Sequence, residues 1–302
     1  MTPLIDADIL LYEIGFSSQM PGEHRDEEGK PIIIPNSWDF CKDLFDKKIE
    51  LICDEVGATD SPLLYLTNTA FINNLLNKRG KWLGEPETVY VPVFRHLIAE
   101  QKAYKFGRAA FKPFHYHNLI LHVITEYNFQ VSQMGLEADD LMCMQQTKAI
   151  EKVDTIICSR DKDLRQCPGW HYSWECGTQN AIGPILVDNL GTLIMKNEKE
   201  REIIKPKPKP KMFGTGAKWL YYQMLSGDAV DNIGGAKSKG PVFAYNLLKD
   251  ATSEYECYEL TKKVFQDSYK EDWETIMREM ADLVYMIREA TENGFKRWEH
   301  PV

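Results

Sequence analysis

Four short apolar runs, alternating with stretches of helical spacing, restrict this chain to an α/β architecture. They are "PLI" (3–5), "SPLLYLT" (61–67), the start of "FQVSQM" (129–134) and "DTIICS" (154–159). Each is too short for a helix and rich in the branched and aromatic residues that suit a buried strand. Between them lie stretches with apolar residues three and four apart. These are "DILLYEIGF", "SWDFCKDLFDKKIELICDEV", "FINNLLNKR", "PFHYHNLILHVITEY" and "EADDLMCMQQTKAI". Ser37 precedes the second and is a natural N-cap. Strands alternating with helices predict a twisted, mainly parallel sheet flanked by helices. In such sheets ligands gather beyond the carboxyl ends of the strands.

Charge does not settle the partner. The net charge of −9 over 302 residues disfavours a uniformly basic nucleic-acid binder. A segregated basic region still holds phosphates on an acidic protein. No apolar run approaches the roughly 20 residues of a membrane span. No basic region followed by an uninterrupted apolar stretch opens the sequence, so the expectation is no membrane partner and a cytoplasmic location. Seven scattered cysteines without a CxxC pair predict reduced thiols, not a disulfide frame or zinc site.

Two segments break the alternation. Residues 77–112 carry Lys78, Arg79, Lys81, Arg95, Lys102, Lys105, Arg108 and Lys112, interleaved with Trp82, Tyr90, Phe94, Tyr104 and Phe106. Basic residues follow phosphates and aromatic ones stack on unpaired bases, so this excursion reads as a nucleic-acid contact. The second break is "KPKPKPK", residues 205–211, which reads as an extended linker. The predicted organisation is therefore an α/β core over 1–204, the linker 205–211, and a helical region over 212–302.

Acidic residues gather where strands end and helices begin. Asp6 and Asp8 close the first strand. Glu137, Asp139 and Asp140 open a helix in "GLEADDLM". Asp161 and Asp163 follow "DTIICS", and Asp228 and Asp231 stand in "LSGDAVDNIGG". Taken singly, each pair has an ordinary structural account: a helix dipole for the first-turn acids, a charged turn or a capped loop for the others. Arg160 and Lys162, beside Asp161 and Asp163, make a plain ion-pair turn one such account. Taken together, so many acids on one sheet edge would repel one another strongly unless cations intervened. Mg²⁺, with oxygen ligands, fits that need. Two ions about 4 Å apart would activate water for phosphodiester cleavage.

The ordered set resembles the 5′-nuclease superfamily of flap endonucleases and phage 5′→3′ exonucleases. The shared motifs are "LIDAD", "G-x-EADD", "S-x-D-x-D" with Ser159, and "GD-x-x-DNI-x-G" over Gly227, Asp228, Asp231, Asn232, Ile233 and Gly235. The resemblance spans about residues 3–250. It implies a PIN-like core, a helical arch over about 77–112, and a C-terminal helix–three-turn–helix. It also implies a monomeric, divalent-metal-dependent 5′ exonuclease or flap endonuclease acting on DNA with 5′ ends, flaps or RNA primers beside replication proteins. Asp6, Glu137 and Asp139 would hold a first Mg²⁺, with Mn²⁺ as a substitute. Asp161 and Asp163, helped by Asp228, would hold a second, and Asp140 and Asp231 belong to the same implied ligand set. Lys105 and Arg108, from "YK-x-x-R", would act on the scissile phosphate together with the metal-bound Asp6, Asp139 and Asp161. Tyr104 and Arg95 would contact the strand. Gly235, Lys237, Ser238, Lys239 and Gly240 would hold a duplex phosphate, with K⁺ at the same turn.

Two positions depart from the pattern. "LYLTNTAF" places Asn68 where the family has an Asp, which offers a metal a carbonyl oxygen but no charge. Ser238 stands where the family's turn has a glycine, a substitution that matters if the position needs φ > 0. The first departure raises the alternative of a catalytically weakened or non-catalytic binder of branched nucleic acid. A phosphatase of the haloacid dehalogenase type, with Asp6 as nucleophile and Asp8 as acid/base, leaves the later motifs unexplained. His115, His117 and His122 read as packing or surface residues.

Overall fold

Sequence periodicity becomes secondary structure much as the alternation requires. The computed structural model describes residues 1–27, 29, 31–107, 111–149, 154–196 and 211–302. The first elements are β1 (Thr2–Asp6), α1 (Ala7–Ser17), β2 (Gln19–Arg25), β3 (Pro31–Pro35), α2 (Trp38–Glu55) and β4 (Leu63–Leu66). Next come α3 (Ala70–Leu83), α4 (Phe94–Ile98), α5 (Tyr116–Glu126), β5 (Asn128–Val131), α6 (Ala138–Ala149), β6 (Thr155–Cys158), β7 (Gly169–Ser173) and β8 (Ile182–Val187). The chain continues through β9 (Leu193–Lys196), β10 (Lys211–Gly214), α7 (Gly216–Ser226), α8 (Pro241–Leu248), α9 (Glu254–Tyr269) and α10 (Trp273–Val284). Most of the predicted Lys-Pro linker, 205–210, lies outside the described residues, and Lys211 opens β10.

The chain divides into two compact units. The first comprises 1–92, 109–160 and 170–185. Its sheet has the order β5-β4-β1-β6-β7-β8, with β1, β4, β5, β6 and β7 joined by parallel pairings. Leu4 on β1 pairs with Leu63 on β4 and with Ile157 on β6, so β1 lies at the centre and the three strands end on one edge. Helices begin at side-chain caps: Asp6 for α1, Ser37 for α2 and Thr69 for α3 each accept a first-turn N–H. Leu4, Ile5, Leu10, Phe45, Ile52, Leu64, Leu119 and Ile156 are wholly buried. Each contributes about 1.5–3 kcal/mol by leaving water.

The second unit comprises 93–108, 161–169 and 186–302. Its centre is α7, in which Gly216 through Leu225 are all buried. A helix buried on every side lies inside a core, here with Lys218 and Gln223 among its buried residues, and α8, α9 and α10 each pack against it. Between α7 and α8 the chain makes tight turns over 227–240, giving the helix–turns–helix arrangement. An antiparallel bridge between Asp228 and Ile233 closes the first turn. Gly227 (φ 71°) and Gly235 (φ 66°) face each other across it. A Cβ on Gly235 would lie 2.3 Å from the Gly227 nitrogen, so glycine is required by space as well as by dihedral.

The excursion over 77–112 is not a continuous helix. The helix α3 ends at Leu83 with Gly84 in the left-handed conformation, and among the described residues of 84–107 only α4 is helical.

Candidate functional site

In the first unit the sheet edge at the ends of β1, β4 and β6 holds Asp6, Asp8 and Asp140 on protein donors. Asp6 ends β1 and caps α1: one carboxylate oxygen accepts the Ile9 N–H (3.2 Å) and the other the Ser159 hydroxyl (2.7 Å). Ser159 directly follows β6, so the parallel pairing of β1 with β6 is what delivers it there. Asp8 accepts the Thr67 N–H at 2.9 Å, fixing the turn after β4. Asp140 is fully buried and its carboxylate accepts the Glu137 N–H (3.0 Å), which closes the start of α6 as a cap. Glu137 is buried, and Asp139 is half-buried in the first turn of that helix.

Asn68 follows β4 and is also buried. Its backbone N–H donates to the Ser132 hydroxyl at 2.9 Å, and its Nδ2 lies 3.4 Å from Asn73 Oδ1. Its Oδ1 has no hydrogen-bond partner among the described residues. Ser132 and Asn73 carry no signal in the sequence, because each reaches Asn68 only through the fold.

In the second unit Asp161 and Asp163 enter a short 3₁₀ turn, Asp163–Gln166. Asp161 accepts the Asp163 N–H at 2.8 Å, and Asp163 accepts the Gln223 amide of α7 at 2.6 Å. Gln166 donates to Gln223 Oε1 and to the Val284 carbonyl, 2.7 Å each. Burial first, then the neighbouring Asp161, pushes the Asp163 carboxyl well above its ordinary range, against the opposing pull of Lys162. Lys162 forms a 2.5 Å ion pair with the buried Asp228. Burial disfavours the Lys162 ammonium, but Asp163, the Asp228 hydrogen bond and Asp161 outweigh it and raise its pKa. Lys162 thus pairs with an acid 66 residues away, where the sequence offers its neighbours Asp161 and Asp163 as partners.

Asp231 is held by the basic segment. The Tyr104 hydroxyl donates to its carboxylate (3.2 Å) and the Lys105 N–H to its carbonyl (2.9 Å). Lys105 has φ 53°, and its ammonium lies 5.0 Å from the Tyr104 ring centroid. Tyr104 is buried, with His96 against its ring, so it offers no open face for a base. Arg95 is wholly buried as well: Nε donates to the Leu283 carbonyl and Nη2 to the Tyr285 carbonyl, 3.2 and 2.7 Å. It therefore satisfies carbonyls at the end of α10 and is not exposed to a strand of nucleic acid. Arg108 lies outside the described residues. At the turns before α8, Lys237 and Ser238 are exposed, Lys239 and Gly240 are half-exposed, and Ser238 has φ 59°.

These contacts correct the two-metal reading. Among the described residues, no group of three or more His, Cys, Asp or Glu side chains is arranged to hold a metal ion. Asp6, Glu137, Asp139 and Asp140, with Asn68, do not form a Mg²⁺ or Mn²⁺ ligand set, and neither do Asp161, Asp163, Asp228 and Asp231. For Asp6, Asp8, Asp140, Asp161, Asp163 and Asp228 the physical reason is that backbone N–H groups, Ser159, Gln223 and Lys162 already neutralise or satisfy the carboxylates. Metal-dependent cleavage through Asp6, Asp139 and Asp161 therefore has no such ligand set among the described residues. At the same turns the carbonyls of Leu225, Ile233 and Ala236 accept backbone N–H groups, and that of Gly235 accepts the Tyr269 hydroxyl.

No protein-family model matches the chain. The curated DNA polymerase I of Deinococcus radiodurans is 29% identical over 174 residues. That match covers 56% of this chain but 16% of the polymerase. Among solved structures, the T5 D15 protein co-crystallised with metal ions is similar over 94% of this chain and 99% of its own, at 11% identity and a TM-score of 0.47. T5 5′-exonuclease with zinc ions bound has the same coverages, at 12% identity and a TM-score of 0.42. Flap endonuclease-1 from Methanococcus jannaschii is similar over 92% of this chain and 78% of its own, at 11% identity and a TM-score of 0.39. At these identities and scores the similarity assigns this chain no activity. Among the described residues no helix is long and apolar enough to cross a membrane.

Proposed function

We propose that this chain binds branched nucleic acid without cutting it by a two-metal mechanism. The observation that carries the reading is the ion pair between Lys162 and Asp228: an ammonium supplies the counter-charge of a carboxylate that the two-metal reading gives to a cation. Asn68, with a neutral amide in place of a carboxylate, supports the same reading. The turn with Lys237 and Lys239 supports binding to a phosphate backbone, since ammonium groups favour an anion. The match to part of a curated DNA polymerase supports DNA as the nucleic acid. A phosphatase reading is not favoured, because both Asp6 carboxylate oxygens accept hydrogen bonds and the side chain is buried.

The test pairs binding with cleavage. Fluorescence anisotropy with a 5′-flap DNA in EDTA is expected to give saturable binding, tighter than to a linear duplex of equal length. The same DNA, incubated with the protein in Mg²⁺ or Mn²⁺, is expected to remain intact on a denaturing gel. Metal-dependent cleavage overturns the non-cleaving part of the proposal, and absence of binding in EDTA overturns the rest.

A further inference from the structure

Within the second unit, the short stretch 100–105 is fixed at several points. Glu279 of α10 accepts the N–H groups of both Glu100 and Gln101, at 2.8 Å each. Asn232 donates its amide to the Ala103 carbonyl at 2.9 Å, and Lys105 N–H meets the Asp231 carbonyl at 2.9 Å. Asn232 adopts φ 60°, a conformation in which asparagine is among the better tolerated residues. The side chain between these anchors is Lys102. It is exposed, and its Nζ lies 3.5 Å from the point where a Cβ on Gly234 would stand. Lys102 thus reaches the turn that continues directly into Lys237 and Lys239.

Among the described residues, none of Lys102, Lys237 and Lys239 has a carboxylate within ion-pairing distance. Lys239 rests over the Phe243 ring at 4.5 Å, which leaves its ammonium at the surface. Uncompensated ammonium groups brought to one turn in a chain of net charge −9 are an anion-binding feature. Two of the three come from one stretch of sequence and the third from a stretch more than a hundred residues earlier.

We propose that Lys102 is a phosphate-contacting residue of the nucleic-acid surface on this unit, with Asn232 and Glu279 as positioning residues that hold it beside Gly234. The inference rests on the nucleic-acid-binding reading above and names a residue of that surface. Lys102 adds one backbone contact to those of Lys237 and Lys239. It therefore sets affinity and salt dependence and carries no sequence information.

The experiment is the salt dependence of 5′-flap DNA binding in EDTA, measured by anisotropy. The proteins are the unaltered chain, Lys102→Gln, Asn232→Ala, Lys237→Gln and, as a control on the exposed face of α9, Lys263→Gln. Each phosphate contact contributes about 0.9 to the slope of log affinity against log salt on duplex DNA. Lys102→Gln and Lys237→Gln are each expected to flatten the slope by about that amount, and Lys263→Gln to leave it unchanged. Asn232→Ala keeps every lysine, and is expected to flatten the slope partly because Lys102 loses its fixed backbone. Thermal melting of each variant separates these effects from loss of folding, which would not alter the slope of the folded fraction. A slope for Lys102→Gln equal to that of the unaltered chain, beside a flattened slope for Lys237→Gln, overturns this inference alone. Absence of binding by the unaltered chain overturns the nucleic-acid reading and this inference with it.

Discussion

Burial dominates the behaviour of Asp163. Its carboxyl is pushed well above the ordinary range by desolvation and by Asp161, so the folded protein prefers it protonated. For an acid whose folded pKa exceeds its unfolded value, the stabilising contribution is fully present below the unfolded pKa. It is lost as pH rises through the folded one. Asp163→Asn, which keeps an acceptor for Gln223, is therefore expected to raise the melting temperature at pH 8 and to lose that advantage toward pH 4. Thermal melts across that range check the sign, and an advantage that grows toward acid would refute the assignment. Ser238 offers a second residue-scale test. A left-handed conformation disfavours any residue with a Cβ, and serine here has φ 59°. Part of the gain from glycine is offset by its greater unfolded-state entropy. Ser238→Gly is expected to stabilise by about 0.5–1 kcal/mol in urea unfolding.

At the scale of elements, the five-residue helix α4 is too short to persist alone. It is held by Arg95, which reaches two carbonyls at the end of α10 and stacks at 4.7 Å on Phe94. Arg95→Leu leaves those carbonyls without their charged donor, and is expected to destabilise by about 3 kcal/mol. The salt slope of DNA binding is expected to stay unchanged, since the guanidinium is buried. A flattened slope with unaltered stability would restore Arg95 to the binding surface. The strands of the first sheet and most helices were legible because each is set by local periodicity and a cap, as with Ser37 and α2. The hairpin of β2 and β3 was not. Its sequence, "QMPGEHR" and "PIIIP", mixes glycine, proline and charge and leaves Ile32 and Ile34 about half exposed. Its alternation is therefore too faint to read.

At the scale of the whole molecule, what the sequence withheld is non-local pairing. The position of the acids at strand ends was readable, and Asp6 does stand at the end of β1. The partner of each acid was not. Lys162 and Asp228 are 66 residues apart, and Ser159 and Asp6 are 153 apart. No local pattern distinguishes an acid awaiting a cation from one already answered by a distant lysine or hydroxyl. The same limit hid the second unit, whose three segments are separated along the chain by stretches belonging to the first.

That interleaving has a consequence for the chain as it is made. Arg95 meets the Leu283 carbonyl 188 residues later. At about 5–20 residues per second of synthesis, the arginine leaves the ribosome roughly 10–40 s before its acceptor exists. During that interval residues 93–107, with their basic and aromatic side chains, have no α10 to dock on. A nascent chain of this kind carries an undocked basic and aromatic stretch through most of its translation, and its second unit closes only as the last helix emerges.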